Sequence, residues 1–183
     1  MNLIFDEESH SYYCETGKLP SVTSVLVAEG VVSFPFCPGA MERGTLVHSL
    51  CALLDGGEAK PDLGPSNSGY LASYARFCAE YKPSWSLIEK ALGHPVYNYA
   101  GTLDRFAPLL DIKTGAPGSG EPLQLGAYWE LLKVNGYKPK PEGMFLYLGE
   151  DGTYRIETVK DLPRLAKIFL SVLATHNYKK ERK

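Results

Sequence analysis

The chain has no long apolar run; none approaches the roughly 20 residues that cross a bilayer. Its start, MNLIFDEESH, has no basic residues ahead of an apolar stretch and so does not read as a secretory signal. Cysteine is sparse. Cys14, Cys37, Cys51 and Cys78 are scattered and none belongs to a CxxC pair, so zinc and iron–sulfur ligation find no support. Together these absences point to a cytoplasmic protein with reduced thiols. A strong charge of one sign is also missing, since the formal net charge is −2. Nucleic-acid binding through bulk positive charge is thereby disfavoured, although a local basic patch suffices for steering. There is no internal repeat, heptad run or separate linker.

What is present suits one mixed α/β domain over residues 1–183. Residues 2–5 and 10–13 are short apolar or aromatic runs around the acidic turn DEES and read as a hairpin, with Gly17 and Pro20 as punctuation. Residues 21–30 predict a short helix with a hydroxyl cap. Residues 34–39 form a Pro- and Phe-containing loop. A helix is expected over 40–54, with Met41, Val47, Leu50, Leu53 and Leu54 on one stripe. A Gly-, Pro- and Ser-rich loop (56–69) precedes a second helix over 70–81. The period then changes to strands over 85–91, 96–106 and 109–113. A helix over 123–134 follows, with Leu123, Ala127, Leu131 and Val134 on its stripe. A hairpin joins 144–148 to 154–158 through Gly149 and Gly152. Asp161 is the candidate cap of a last helix to about His176, and 178–183 reads as a frayed basic tail. These boundaries divide the chain into an N-terminal hairpin and short helix (1–37), a core (38–150) and a C-terminal strand, helix and tail (151–183).

The chemistry concentrates between Gly101 and Tyr128, in GTLDRFAPLLDIKTG and QLGAY. Alternation along a strand puts Asp111 and Lys113 on one face, with Ile112 turned to the core. A tight reversal in RFAPLL brings Asp104 beside Asp111 on the neighbouring strand. Two adjacent carboxylates repel unless a cation joins them. Hard oxygen donors suit Mg²⁺ or Mn²⁺. Lys113 then has a task, either stabilising charge on a phosphate or helping to deprotonate an attacking water. Read singly, each of these residues is an ordinary surface group.

In its ordered motifs the chain resembles the PD-(D/E)XK nuclease superfamily, in its RecB-like exonuclease branch. GTLVH ends at His48, GTLD ends at Asp104, DIKT spans 111–114 and QLGAY spans 124–128. The resemblance covers roughly residues 38–150. It implies an αβββαβ restriction-endonuclease-like core, a mixed central sheet flanked by helices. It implies that His48, Asp104, Asp111 and the Ile112 carbonyl hold one or two Mg²⁺ or Mn²⁺ ions. Lys113 would be the catalytic lysine, with Gln124 orienting the lysine or the phosphate and Tyr128 at the nucleic acid. Glu89 would be a further acidic residue near the site, or a partner of Lys90 or Arg105. No cysteine follows Cys78, so the iron–sulfur cluster of some relatives is not expected; no Walker A motif is present, so ATP is not expected either.

Arg43, Lys133, Lys138 and Lys140 are candidate phosphate contacts. Lys179, Lys180, Arg182 and Lys183 fit a solvated end better. His10, His94 and His176 read as packed or surface residues. The expectation is a metal-dependent DNA exonuclease acting on single-stranded or duplex ends in phage or bacterial recombination, repair or end processing. A chain this small for the branch would have trimmed DNA-guiding elements, or work as an oligomer or with a recombination partner protein. A structure-specific or single-strand endonuclease on the same fold is the alternative. A weakly catalytic DNA- or protein-binding module is the second, and a chance motif match in an unrelated α/β protein the third.

Overall fold

The computed structural model describes residues 1–33, 39–57, 65–118 and 120–182, with the side chains of residues 65 and 66 outside the description. A three-stranded antiparallel sheet opens the chain: β1 (Ile4–Asp6), β2 (Ser11–Cys14) and β3 (Gly17–Leu19). Gly17, read as punctuation after the hairpin, thus opens a third strand. Then come α1 (Val22–Ala28), α2 (Ala40–Asp55) and α3 (Pro65–Tyr81). The central sheet holds β4 (Leu87–Gly93), β5 (Ala100–Phe106), β6 (Leu110–Lys113), β7 (Gly143–Leu148) and β8 (Tyr154–Val159), hydrogen-bonded in that order. Only β6 and β7 run parallel, connected through α4 (Glu121–Val134); the other pairs are antiparallel. Helix α5 (Leu162–Lys180) closes the chain.

The sheet has a helical layer on each face. One core contains Leu103, Leu109 and Phe145 of the sheet with Leu125 and Leu131 of α4 and Phe169 of α5. The other joins Leu110, Ile112 and Leu146 to Val47 and Leu50 of α2 and Tyr74 and Phe77 of α3. The N-terminal sheet packs Tyr12 and Leu19 against Ala100.

Several local expectations shift. Ser21 caps α1 as expected, and its hydroxyl and that of Ser24 form a reciprocal box. Met41 is 84% exposed and lies off the α2 stripe, because at about 100° per residue it sits about 120° around the helix from Val47. The loop expected over 56–69 ends early, since α3 starts at Pro65; residues 58–64 lie outside the described residues, as do 34–38. Strand β5 begins at Ala100 rather than residue 96. His94 prevents extension by accepting the Val96 and Tyr97 N–H groups at Nδ1, which folds the segment into a turn.

The apolar stripe read on α4 is too narrow. Leu125, Tyr128 and Leu132 are buried as well, because the helix is sandwiched between the sheet and α5. Gly126 makes the second contact possible: a Cβ there would lie 2.6 Å from the Leu165 carbonyl carbon. Asp161 does precede α5, but its side chain makes no cap bond. Its own carbonyl accepts the Arg164 and Leu165 N–H groups. The last helix runs on to Lys180, so the first part of the expected frayed tail is helical.

Candidate metal and phosphodiester site

Strands β5 and β6 pair only at Arg105–Leu110 and then part. The Asp104 carboxylate fills the fork, where its Oδ2 accepts the Ile112 N–H at 2.6 Å. His48 of α2 takes the other backbone group of the same residue, its Nε2 lying 3.0 Å from the Ile112 carbonyl oxygen. Two side chains thus replace the missing ladder bonds, so both polar groups on that side of Ile112 stay satisfied. This anchoring turns the other imidazole nitrogen toward acid. His48 Nδ1 is 3.3 Å from Asp104 Oδ1 and 3.9 Å from Glu89 Oε1.

Glu89 reaches this point from β4. The register on either side of it, Ile88–Arg105 and Lys90–Leu103, places it opposite Asp104. Its φ of 44° lies in the left-handed region, which is costly for a residue with a side chain. Arg105, fully buried, holds it there through an Nη1–Oε1 bond of 2.8 Å. The same guanidinium donates to Asp55 Oδ2 at 2.6 Å through Nε and to the Asp104 carbonyl at 2.7 Å. Sequence reasoning recognised Arg105 only as a possible partner of Glu89. The signal it passed over is an arginine inside an apolar strand, which demands buried acids.

Asp111 and Lys113 of β6 form an ion pair, with Nζ 2.7 Å from Oδ2. Lys113 Nζ also donates to Gln124 Oε1 at 3.0 Å, and Gln124 Nε2 donates to the Tyr128 hydroxyl at 2.9 Å. The i, i+4 spacing on α4 places those last two groups one turn apart. Gly101 admits the Tyr128 ring, since a Cβ there would stand 2.7 Å from its Cε1. The glycine of GTLD and the tyrosine of QLGAY are therefore spatial complements.

The electrostatics follow from burial among opposed charges. Burial alone would depress the His48 imidazole, but Asp104, Glu89 and Asp111 outweigh it and hold it at about 9. Burial, aided by Asp104, raises Glu89 to about 7 against the pull of His48 and Arg105. Burial likewise raises Asp111 to about 6, with Lys113 opposing. Asp104 is as buried, yet His48 and the Ile112 N–H hold it below the usual carboxylate range. Burial would lower Lys113, but Asp111 keeps it above the ordinary lysine value.

One donor atom each from His48, Glu89 and Asp104 lies within 4.8 Å of the others. One imidazole and two carboxylates make a chemically suitable pocket for a hard divalent cation once His48 is deprotonated. The grouping differs in membership from the one read in the sequence. Glu89 stands in it, Asp111 pairs with Lys113, and the Ile112 carbonyl is engaged by His48.

The expected phosphate contacts are spread out. Arg43 stacks on Tyr70, its guanidinium carbon 5.8 Å from the ring centre. Lys133 is nine residues after Gln124 on α4, or about 13 Å along the axis. Lys138 and Lys140 are exposed beyond that end of the helix. Among the described residues, no helix is long and apolar enough to cross a membrane.

No protein-family model matches the chain. No curated protein matches it either. Among solved structures, it is similar to a candidate exonuclease from Eubacterium rectale, with a TM-score of 0.56 and 12% identity over 90% of this chain and 80% of that one. It also matches LHK-Exo in complex with dAMP, at TM-score 0.49 and 14% identity over 90% and 88% of the two chains. The alkaline exonuclease LHK-Exo of Laribacter hongkongensis matches at TM-score 0.41 and 15% identity over 88% and 91%. The first likeness shows the fold alone, a mixed five-stranded sheet between helices.

Proposed function

We propose that this chain is a divalent-metal-dependent DNA exonuclease of the RecB-like kind. The observation that carries the reading is the convergence of His48, Glu89 and Asp104 donors within 4.8 Å beside the Asp111–Lys113 pair. His48, Glu89 and Asp104 would hold Mg²⁺ or Mn²⁺, with Asp111 adjoining once its pairing with Lys113 is exchanged for the ion. A bound ion there supplies an acidified water and polarises the phosphoryl oxygen.

The remaining steps belong to the chain. Lys113 presents its ammonium to the charge that grows on the phosphate. Gln124 fixes the Nζ position through its carbonyl oxygen, and Tyr128 fixes Gln124. Arg105 clamps Glu89 against recoil. The substrate is DNA, single-stranded or at duplex ends, without need of ATP. Arg43, Lys133, Lys138 and Lys140 contact its backbone. The setting is recombination, repair or end processing.

A cleavage assay tests this reading. End-labelled linear DNA and closed circles are incubated with Mg²⁺, Mn²⁺ or chelator, using wild type, Asp111→Ala and Lys113→Ala. Linear DNA should be lost only with metal, and each variant should slow cleavage at least about 10²-fold. Cut circles would transfer the assignment to an endonuclease. Cleavage by the variants at the wild-type rate would sink the site.

A further inference from the structure

A cavity lies where the N-terminal sheet meets α1 and the end of α5. Its volume is about 310 Å³, and its lining includes His10, Tyr12, Lys18, Ser21, Ser24 and Lys180. Among the described residues, no carboxylate lines it. The chain as a whole carries a net charge of −2, so a cavity with two ammonium groups, one imidazole and no acid is a local reversal of sign. Neither Lys18 nor Lys180 is in an ion pair with a described residue. Lys179, the adjacent lysine, is by contrast taken by Glu29 at 2.6 Å. Asp6 lies within electrostatic reach of Lys18, but its carboxylate accepts bonds from Ser9 and the Glu8 N–H. Lys18 instead lies over the Tyr13 ring, 5.9 Å from its centre, a loose contact that leaves its donors open.

The cavity is tied to the candidate site through one side chain. Tyr12 lines it and is itself buried, and its hydroxyl lies 2.8 Å from Thr102 Oγ1. Thr102 precedes Asp104 by two residues on β5, so the two share a face about 7 Å apart.

We infer that this cavity is a second phosphate-binding site, in which Lys18 and Lys180 hold the backbone of a nucleic-acid strand that extends beyond the cleavage site. The inference rests on the proposed nuclease reading for its ligand. Phosphodiester groups are the recurrent anions of such a strand, and two ammonium groups without an ion-pair partner among the described residues, with the Ser21 hydroxyl beside them, match their charge and acceptor oxygens. The two lysines come from opposite ends of the chain, so the site exists only in the folded protein.

The test measures binding separately from cleavage. Fluorescence anisotropy follows a labelled single-stranded and a labelled duplex oligonucleotide in metal-free buffer over a series of salt concentrations. Wild type is compared with Lys18→Ala/Lys180→Ala and with Lys160→Ala/Lys167→Ala, which removes equal charge from exposed positions elsewhere. The cavity variant should bind at least about tenfold more weakly, with a log–log salt slope shallower by about one to two. The control pair should show a small loss only. Equal loss in both variants would reduce the effect to net charge and overturn the site; so would an unchanged cavity variant, or wild type that binds no DNA. Failure of wild type to cleave, with binding intact, would defeat the nuclease reading and leave this site standing.

Discussion

At the residue scale the site is held by Arg105 more than by any single acid. Its guanidinium is fully buried and joins the last residue of α2, Asp55, to Glu89 of β4 and to the backbone of Asp104. Truncating one partner of such a network leaves buried charge without compensation, at a cost of about 3–5 kcal/mol. Arg105→Met should therefore lower stability by that amount and the melting temperature by about 6–20 °C. Thermal unfolding of the variant checks this; an unchanged midpoint would mean that Asp55 and Glu89 find other partners. Glu89 shows why the clamp matters, because its left-handed backbone lies in a region that costs energy and persists only when neighbours enforce it.

At the scale of elements, the parting of β5 from β6 creates the site. A fully paired ladder would commit the Ile112 N–H and carbonyl to a neighbouring strand and leave no opening for Asp104. Helix α4 has the complementary task of bringing Gln124 and Tyr128 to Lys113, and its position depends on α5 behind it. Gly126→Ala would press a methyl against the Leu165 backbone, which cannot yield as a flexible side chain can. The expected cost is about 1–3 kcal/mol, with a fall in cleavage rate as α4 shifts. Denaturant unfolding beside a rate measurement checks both. Loss of stability with an unaltered rate would show that α4 is held from the sheet side alone.

For the molecule as a whole, protonation and the proposed metal binding would be coupled. His48, Glu89 and Asp111 each hold a proton more tightly folded than unfolded. Their stabilisation is complete below the unfolded values of 6.5, 4.5 and 3.8, and it fades as pH rises through about 9, 7 and 6 respectively. Asp104 acts in the opposite sense and loses its contribution only in acid. The metal-free protein should therefore become steadily less stable from about pH 5 to pH 9. A divalent cation at the proposed site would replace those protons, so its stabilising effect should grow over the same range. Melting temperatures with chelator and with Mn²⁺ across this range decide it. No rise with metal at pH 8 would mean that the His48, Glu89 and Asp104 donors hold no ion.

The order of elements and the motif residues were legible along the chain because both are local properties. Alternation assigns Asp111 and Lys113 to one face, and the spacing of Gln124 and Tyr128 assigns them to adjacent turns. The hairpin through Gly149 and Gly152 and the Ser21 cap were legible for the same reason. Other features depended on partners distant in sequence. The ends of β5 and α5, the breadth of the buried face of α4 and the exposure of Met41 depend on what packs beside them. So does the membership of the acidic cluster: Glu89 joins His48 and Asp104 through the β4–β5 register, while Lys113 draws Asp111 to itself. His48 meets Ile112 across 64 residues, and Tyr12 meets Thr102 across 90. Such contacts have no periodic signature. They exist because burying two apolar faces of one sheet brings together charged groups distant in sequence, such as Arg105 with Asp55 and Glu89.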